Sequence, residues 1–195
     1  VEIRSLTYSV SAVGSIDAFE KVQVTARVAG VVDRVLFSEG NFAKPGQVLV
    51  EIEPERYRLA VEAAQAAQEK AQAAQADAEA GLKRREQVVR ETPGLIPGEE
   101  IETWKTKVRV AASEVAQTKA ALDQAKLNLR DAYVRAPFSG IIQTRTVQTG
   151  QYVQVGTVMA TLIRRDPLLL RFKVPERDTA RLGVGMIANF RIREA

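Results

Sequence analysis

The chain writes one small module twice. "GVVDRVLFSEGNFAKPGQVLVEI" runs from Gly30 to Ile52, and "GIIQTRTVQTGQYVQVGTVMATL" from Gly140 to Leu162. Gly30, Gly40 and Gly46 return as Gly140, Gly150 and Gly156, at a constant offset of 110 residues and without a gap. Apolar positions follow: Ala26 matches Ala136, Val31-Val32 matches Ile141-Ile142, Phe42 matches Tyr152 and Val48 matches Val158. Each copy is too short to bury a core alone. Two copies packed face to face around a pseudo-twofold axis solve that problem. Val31, Val48, Ile141 and Val158 are expected in their shared core.

Inside the copies, short strands alternate with turns. Glu39-Gly40-Asn41 and Lys44-Pro45-Gly46 have turn chemistry, since Pro fixes φ at one corner and Gly allows positive φ at the next. "QVLVEIE" reads as a strand ending at Pro54. Residues 1–29 alternate apolar and polar residues and read as extended, with Gly14 and Ser15 as punctuation.

From Glu55 the texture changes to Ala, Gln, Glu and Lys, all strong helix formers. Tyr57, Ala60, Ala64, Ala67, Ala71, Ala74, Ala78, Gly81, Arg85 and Val88 are spaced as a heptad seam. Thr92-Pro93-Gly94 and Pro97-Gly98 break the helix. A second helix repeats the spacing at Ile101, Trp104, Val108, Ala111, Val115, Thr118, Leu122, Ala125, Leu129 and Ala132. A short connection makes the two antiparallel. Each offers a narrow stripe rather than the wider face of a bundle helix, so a two-helix coiled-coil hairpin is expected, with Trp104 packed beneath its tip. After Asp166 the sequence predicts a strand, a helical turn near Glu176–Arg181, a Gly-Val-Gly turn and another strand. Those strands and the first ones cannot close a barrel, so more residues of that domain are expected beyond this sequence.

The chain has neither Cys nor His. Disulfides, Cys-His or Ser-His-Asp catalysis and thiolate metal sites are excluded with them. No phosphate-cradling Gly pattern occurs. Glu99, Glu100 and Glu102 cluster at the start of the second helix, where carboxylates favour the positive end of its dipole. Met159 and Met186 lie in strand patterns and are expected in cores, not on a metal. The net charge of +4 resides in residues 164–195, with eight basic against four acidic side chains. That excess fits a solvated strand surface or attraction to an anionic membrane or partner; nucleic acid is disfavoured because no basic stripe carries interleaved aromatics. No stretch approaches the roughly 20 apolar residues of a membrane span.

The module resembles the lipoyl/biotinyl domain, a flattened sandwich of two half-motifs. In the carriers a tight hairpin with a modified Lys joins the halves. Here the join reads Ile52-Glu53-Pro54 and Val134-Arg135-Ala136, without Lys, and holds the helices. A lipoyl-like module split in this way, with barrel strands before and after, resembles the periplasmic adaptors of tripartite efflux pumps. These are the membrane fusion proteins of the haemolysin-D-like superfamily, and the nearest likeness is to adaptors of resistance-nodulation-division (RND) transporters. The stretches that carry the resemblance are "VTARVAGVVDRVLFSEGNFAKPGQVLVEIEP", "LRDAYVRAPFSGIIQTRTVQTGQYVQVGTVMATLI" and "DPLLLRFKVPERDTARLGVGM", covering most of residues 22–187.

The resemblance implies an elongated α+β fold: a split lipoyl-like sandwich (22–53 and 135–163), a long antiparallel coiled-coil hairpin (54–134) and part of a β-barrel domain (1–21 and 164–195). It implies a non-enzymatic adaptor without cofactor or metal, in the periplasm and attached to the inner membrane. Its partners are an inner-membrane RND transporter, an outer-membrane channel and copies of itself in a hexameric ring. Docking to the channel falls to the hairpin tip, residues about 84–101. The family often carries Arg, Leu and Ser there at set spacing. Arg85 fits the Arg and Val89 stands near the Leu. Near the Ser this chain has Leu95-Ile96-Pro97, in a loop that looks slightly longer, so contact is expected through Arg85, Val89, Leu95, Ile96 and Pro97. Rival readings are an adaptor of an ABC-type exporter, a biotin or lipoyl carrier and a structural coiled coil. The exported substrate is not legible.

Overall fold

The computed structural model describes residues 10–179 and 182–191. The elements in chain order are β1 (Gly14–Thr25), β2 (Gly30–Val35), β3 (Phe42–Ala43), β4 (Val48–Ile52), α1 (Pro54–Glu91), α2 (Gly98–Ala132), β5 (Tyr133–Arg135), β6 (Gly140–Arg145), β7 (Tyr152–Val153), β8 (Val158–Phe172) and α3 (Glu176–Thr179). Two compact units emerge: Val22–Leu162, and Val1–Lys21 with Ile163–Ala195.

In the larger unit, the offset of 110 residues becomes a symmetry of hydrogen bonds. The Gly40 amide donates to the Ile142 carbonyl at 2.8 Å, and the Gly150 amide to the Val32 carbonyl at 2.8 Å. Gly46 donates to Ala136 at 2.9 Å, and Gly156 to Ala26 at 2.8 Å. Each bond is the other moved by the repeat, with donor and acceptor in opposite halves. Strand pairing obeys the same rule: Phe42 opposes Ile141, and Val31 opposes Tyr152. The sheet orders β1-β8-β6-β3 and β5-β4-β2-β7 are related in the same way. Gly40 and Gly150 turn with φ of 84° and 83°, which a side chain rarely adopts.

The core is also paired. Nine buried residues of the first half, Val24, Ala26, Val28, Val32, Phe37, Ala43, Leu49, Val50 and Ile52, correspond one for one to nine of the second: Val134, Ala136, Phe138, Ile142, Val147, Val153, Met159, Ala160 and Leu162. Two substitutions between the halves conserve volume jointly, since Val28 becomes Phe138 while Phe37 becomes Val147. Cores tolerate exchanges that keep total volume. The expected core residues Val31, Val48, Ile141 and Val158 are only half-buried. Their neighbours Val32, Leu49, Ile142 and Met159 are fully buried instead. The cause is the apolar doublets, whose alternation leaves open which member points inward. In β4 the ambiguity is complete, because Leu49, Val50, Glu51 and Ile52 are all buried. Glu51 meets Arg34 in an ion pair of 2.7 Å.

Cross-half bonding makes a prediction. Removing residues 55–132 and joining Pro54 to Tyr133 through a short Gly/Ser loop should leave a folded β-module with a cooperative urea transition. Unfolded products from several loop lengths would falsify a self-sufficient module.

α1 has 38 residues and α2 has 35, so they extend about 57 Å and about 52 Å at about 1.5 Å per residue. They run antiparallel: Gly81 and Arg85 lie against Trp104. α1 starts without a side-chain cap at Glu53, whose backbone is left-handed (φ 39°, ψ 53°). That conformation costs a non-glycine residue about 1 kcal/mol. Its carboxylate accepts a hydrogen bond from the Val31 amide at 3.0 Å, and Tyr57 donates its hydroxyl proton to the Ala29 carbonyl at 2.6 Å. These contacts hold the root of α1 to β2 and the chain just before it.

The seam of α2 is as the spacing predicts: all ten positions are buried or half-buried. That of α1 needs correction. Ala64, Ala71 and Ala78 face inward, but Ala60, Ala67 and Ala74 are exposed, and Val61, Gln68 and Gln75 take their places. Ala on both candidate positions gives the pattern no contrast, so the one-residue displacement is invisible until a partner helix selects it.

In the smaller unit, β1 lies beside β8, with Asp17–Arg171 and Glu20–Arg164 ion pairs of 3.4 Å each. Two of the basic side chains in the +4 segment are thus engaged with acidic partners. α3 and the turn at residues 184–185 fall as expected, but residues 186–191 form no strand. Met186 is exposed, against the expectation of a core residue, whereas Met159 is fully buried. Without a strand at 186–191, Met186 has no sheet face to bury against. The extended reading of residues 1–9 lies outside the described residues. Among the described residues no helix is long and apolar enough to cross a membrane.

Candidate functional site: the free end of the helical pair

α1 ends at Glu91, where the Thr92 amide donates to the Val88 carbonyl at 2.8 Å. Residues 92–97 turn the chain, with Gly94 at φ 90°. α2 begins at Gly98 after an extended Pro97 that supplies no side-chain cap. Glu99 and Glu100 occupy its first turn, the positive end of the dipole. Glu102 accepts a hydrogen bond from Lys105 at 2.8 Å. That bond, aided by the Coulomb attraction to Glu102, raises the Lys105 pKa above its ordinary value.

The five candidate docking residues fall into two environments. Leu95 is 65% exposed, Pro97 is exposed beside it and Ile96 is half-buried. They form an apolar turn facing solvent. Val89 sits lower and half-buried, lining a shallow groove of about 320 Å³ with Glu86, Arg90 and Ile101. Arg85 is set apart from the turn by its contacts. Its Nε donates to Glu100 at 2.8 Å, Nη1 donates to the Gly81 carbonyl at 3.2 Å, and the guanidinium lies 3.9 Å from the Trp104 ring centre.

Trp104 packs beneath the tip, as its seam position predicts. Gly81 makes room for it: a Cβ at residue 81 would run into the indole carbons. Lys107 places its ammonium 4.2 Å from the centre of the Trp104 ring. Cations near an indole are attracted by its quadrupole. Glu100 and Lys107 were not singled out by sequence as partners of Arg85 and Trp104. The available signal was the Gly in an Ala-rich helix opposite the sole Trp.

A larger open groove of about 670 Å³ flanks this end, with Ala74, Thr106 and Val110 among its lining. What the arrangement offers is an antiparallel pair of helices presenting a short apolar turn.

The family model described as the RND membrane fusion protein, barrel-sandwich hybrid domain, matches residues 20–164. A multidrug resistance protein, MdtA of Yersinia pestis (strain Pestoides F), is 32% identical over 167 residues, which cover 85% of this chain and 37% of that protein. The chain therefore spans little more than a third of the curated relatives it matches. A solved protein of Bacteroides eggerthii shares the fold with a TM-score of 0.60 and 26% identity, covering 91% of this chain and 52% of that one. A MacA–MexA chimera carrying the Pseudomonas aeruginosa MexA α-hairpin domain has a TM-score of 0.58 at 24% identity, over 88% and 58% of the two chains. With the family model matching most of its length, this chain belongs to the barrel-sandwich hybrid domain family of RND membrane fusion proteins.

Proposed function

We propose that this chain is the core of a periplasmic adaptor that links an inner-membrane RND transporter to an outer-membrane channel. Residues 22–53 and 135–163 form a lipoyl-like base, residues 54–134 an arm, and residues 1–21 with 164–195 part of a β-barrel domain. Copies assemble as a hexameric ring attached to the inner membrane, and the cargo passes through unchanged. The adaptor binds and orients; it catalyses nothing. Family membership supports this reading, and one observation carries it to the tip: Leu95 stands in solvent on a turn held by two long helices. An exposed apolar turn gains from burial only on association. Val89, Leu95, Ile96 and Pro97 are the residues assigned to direct channel contact, and Arg85 belongs to the docking tip through its bonds to Glu100 and the Gly81 carbonyl.

The test is Leu95→Asp combined with Ile96→Asp in cells whose own gene is replaced. Expected are normal protein level, unchanged helix content and drug susceptibility close to that of the deletion strain. Unchanged efflux at normal protein level removes the tip as the docking site. Affinity capture of the unaltered protein reads the transporter class, and recovery of an ABC-type exporter replaces the RND assignment.

A further inference from the structure

Arg85 does not share the free surface of the turn. Its side chain is 29% exposed, and its guanidinium is engaged by Glu100, by the Gly81 carbonyl and by the Trp104 ring. We propose that Arg85 is a positioning residue: with Glu100 and Trp104 it clasps the last turns of α1 to the first turn of α2, and so fixes the 92–97 turn without touching the partner itself. This rests on the docking reading only for its consequence in the cell.

Three observations converge on the clasp. First, Pro97, at the N-cap of α2, supplies no side-chain cap, so the first turn needs another anchor. The Arg85–Glu100 pair, 2.8 Å long, supplies it and closes a loop around residues 92–97. Second, Gly81 stands inside a helix, where only Pro is a poorer choice, and the space above it is filled by Trp104. The helix gives up propensity there to seat the indole. Third, Gly81 is the last fully buried residue of α1, and beyond it Val88, Val89 and Ile101 are each half-buried. A guanidinium bonded to both a carboxylate and a backbone carbonyl, and facing an indole, holds geometry where little apolar area is buried.

A contact residue and a positioning residue answer differently to exchange of charges. Arg85→Glu, Glu100→Arg and the double exchange should be compared in the full chain. Trp104 is the sole tryptophan, so its emission reports the clasp directly. Arg85→Glu is expected to shift that emission to longer wavelength, raise its quenching by acrylamide and abolish efflux. The double exchange should restore both, because position 100 lies one turn from Trp104 on α2. Arg85→Lys, which keeps a cation near both partners, should retain efflux. If the double exchange restores emission and efflux stays lost, the partner reads Arg85 itself and the proposal is wrong. Unchanged emission in Arg85→Glu also overturns it. Should that variant fail to fold, Arg85→Gln carries the same readouts. The Leu95→Asp, Ile96→Asp variant is expected to leave Trp104 emission unaltered, so a failed docking reading and a failed clasp are told apart.

Discussion

Leu49→Ala and Met159→Ala are each expected to destabilise the β-module by about 2–5 kcal/mol, the range for truncating a fully buried Leu or Met. Both side chains have no exposed surface, and they occupy the same place in the two halves. Each truncation removes apolar contact from one shared core, so the cost should be similar on either side of the pseudo-twofold axis. Urea unfolding followed by tryptophan-independent far-UV circular dichroism of the arm-deleted module is the measurement. A loss under about 1 kcal/mol at one site, with the full loss at the other, means that the halves do not share one core. Phe42→Ala is the control: Phe42 is 61% exposed, and a surface change costs about 0.5 kcal/mol or less.

Ala71→Glu should have the second large effect. Ala71 is 6% exposed, near the middle of α1 where it faces α2. A carboxylate there must be desolvated without a partner or force the helices apart, at a cost of about 3 kcal/mol. Gln72→Glu, one residue on and exposed, should be nearly silent. The difference appears as a lower midpoint in thermal melts of helix signal for Ala71→Glu alone. Equal melts at the two positions refute the seam assignment. The same experiment at residues 74 and 75 tests the corrected register, since Ala74→Glu should be tolerated and Gln75→Leu should raise the midpoint.

The fold is legible in the sequence where residue types differ in kind. Glycines at fixed offset located the turns, and the breaks at Thr92-Pro93-Gly94 and Pro97-Gly98 located the helix ends within a residue or two. The seam of α2 was legible because Trp, Val and Leu stand out from the polar residues around them. Where types do not differ, the sequence leaves the inward face open. The Ala-rich face of α1 and the doublets Val31-Val32 and Ile141-Ile142 are apolar at both candidate positions, so only the packed partner decides. The Val28/Phe138 and Phe37/Val147 exchange escaped because matching by identity does not register volume traded between two sites. At the tip, Leu95, Ile96 and Pro97 were visible as an apolar turn. The clasp was not, because an Arg and a Glu separated by 15 residues have no spacing rule when they sit on different helices.

The reciprocal bonds between the halves also set an order of events during synthesis. When Ile52 leaves the ribosome, every cross-half partner of the first half is still unmade, and the second half is complete only at Leu162. At about 5–20 residues per second that delay lasts about 6–22 s. In the interval the helices can form, since their contacts are local and such pairs fold within about microseconds to milliseconds. Once α1 and α2 are zipped, Pro54 and Tyr133 lie side by side. Joining the halves through a flexible segment of about 80 residues would cost about 4 kcal/mol in closure entropy. The zipped arm meets that cost in advance, so a device that reaches outward in the finished protein serves, during its making, to bring two distant ends of the chain together.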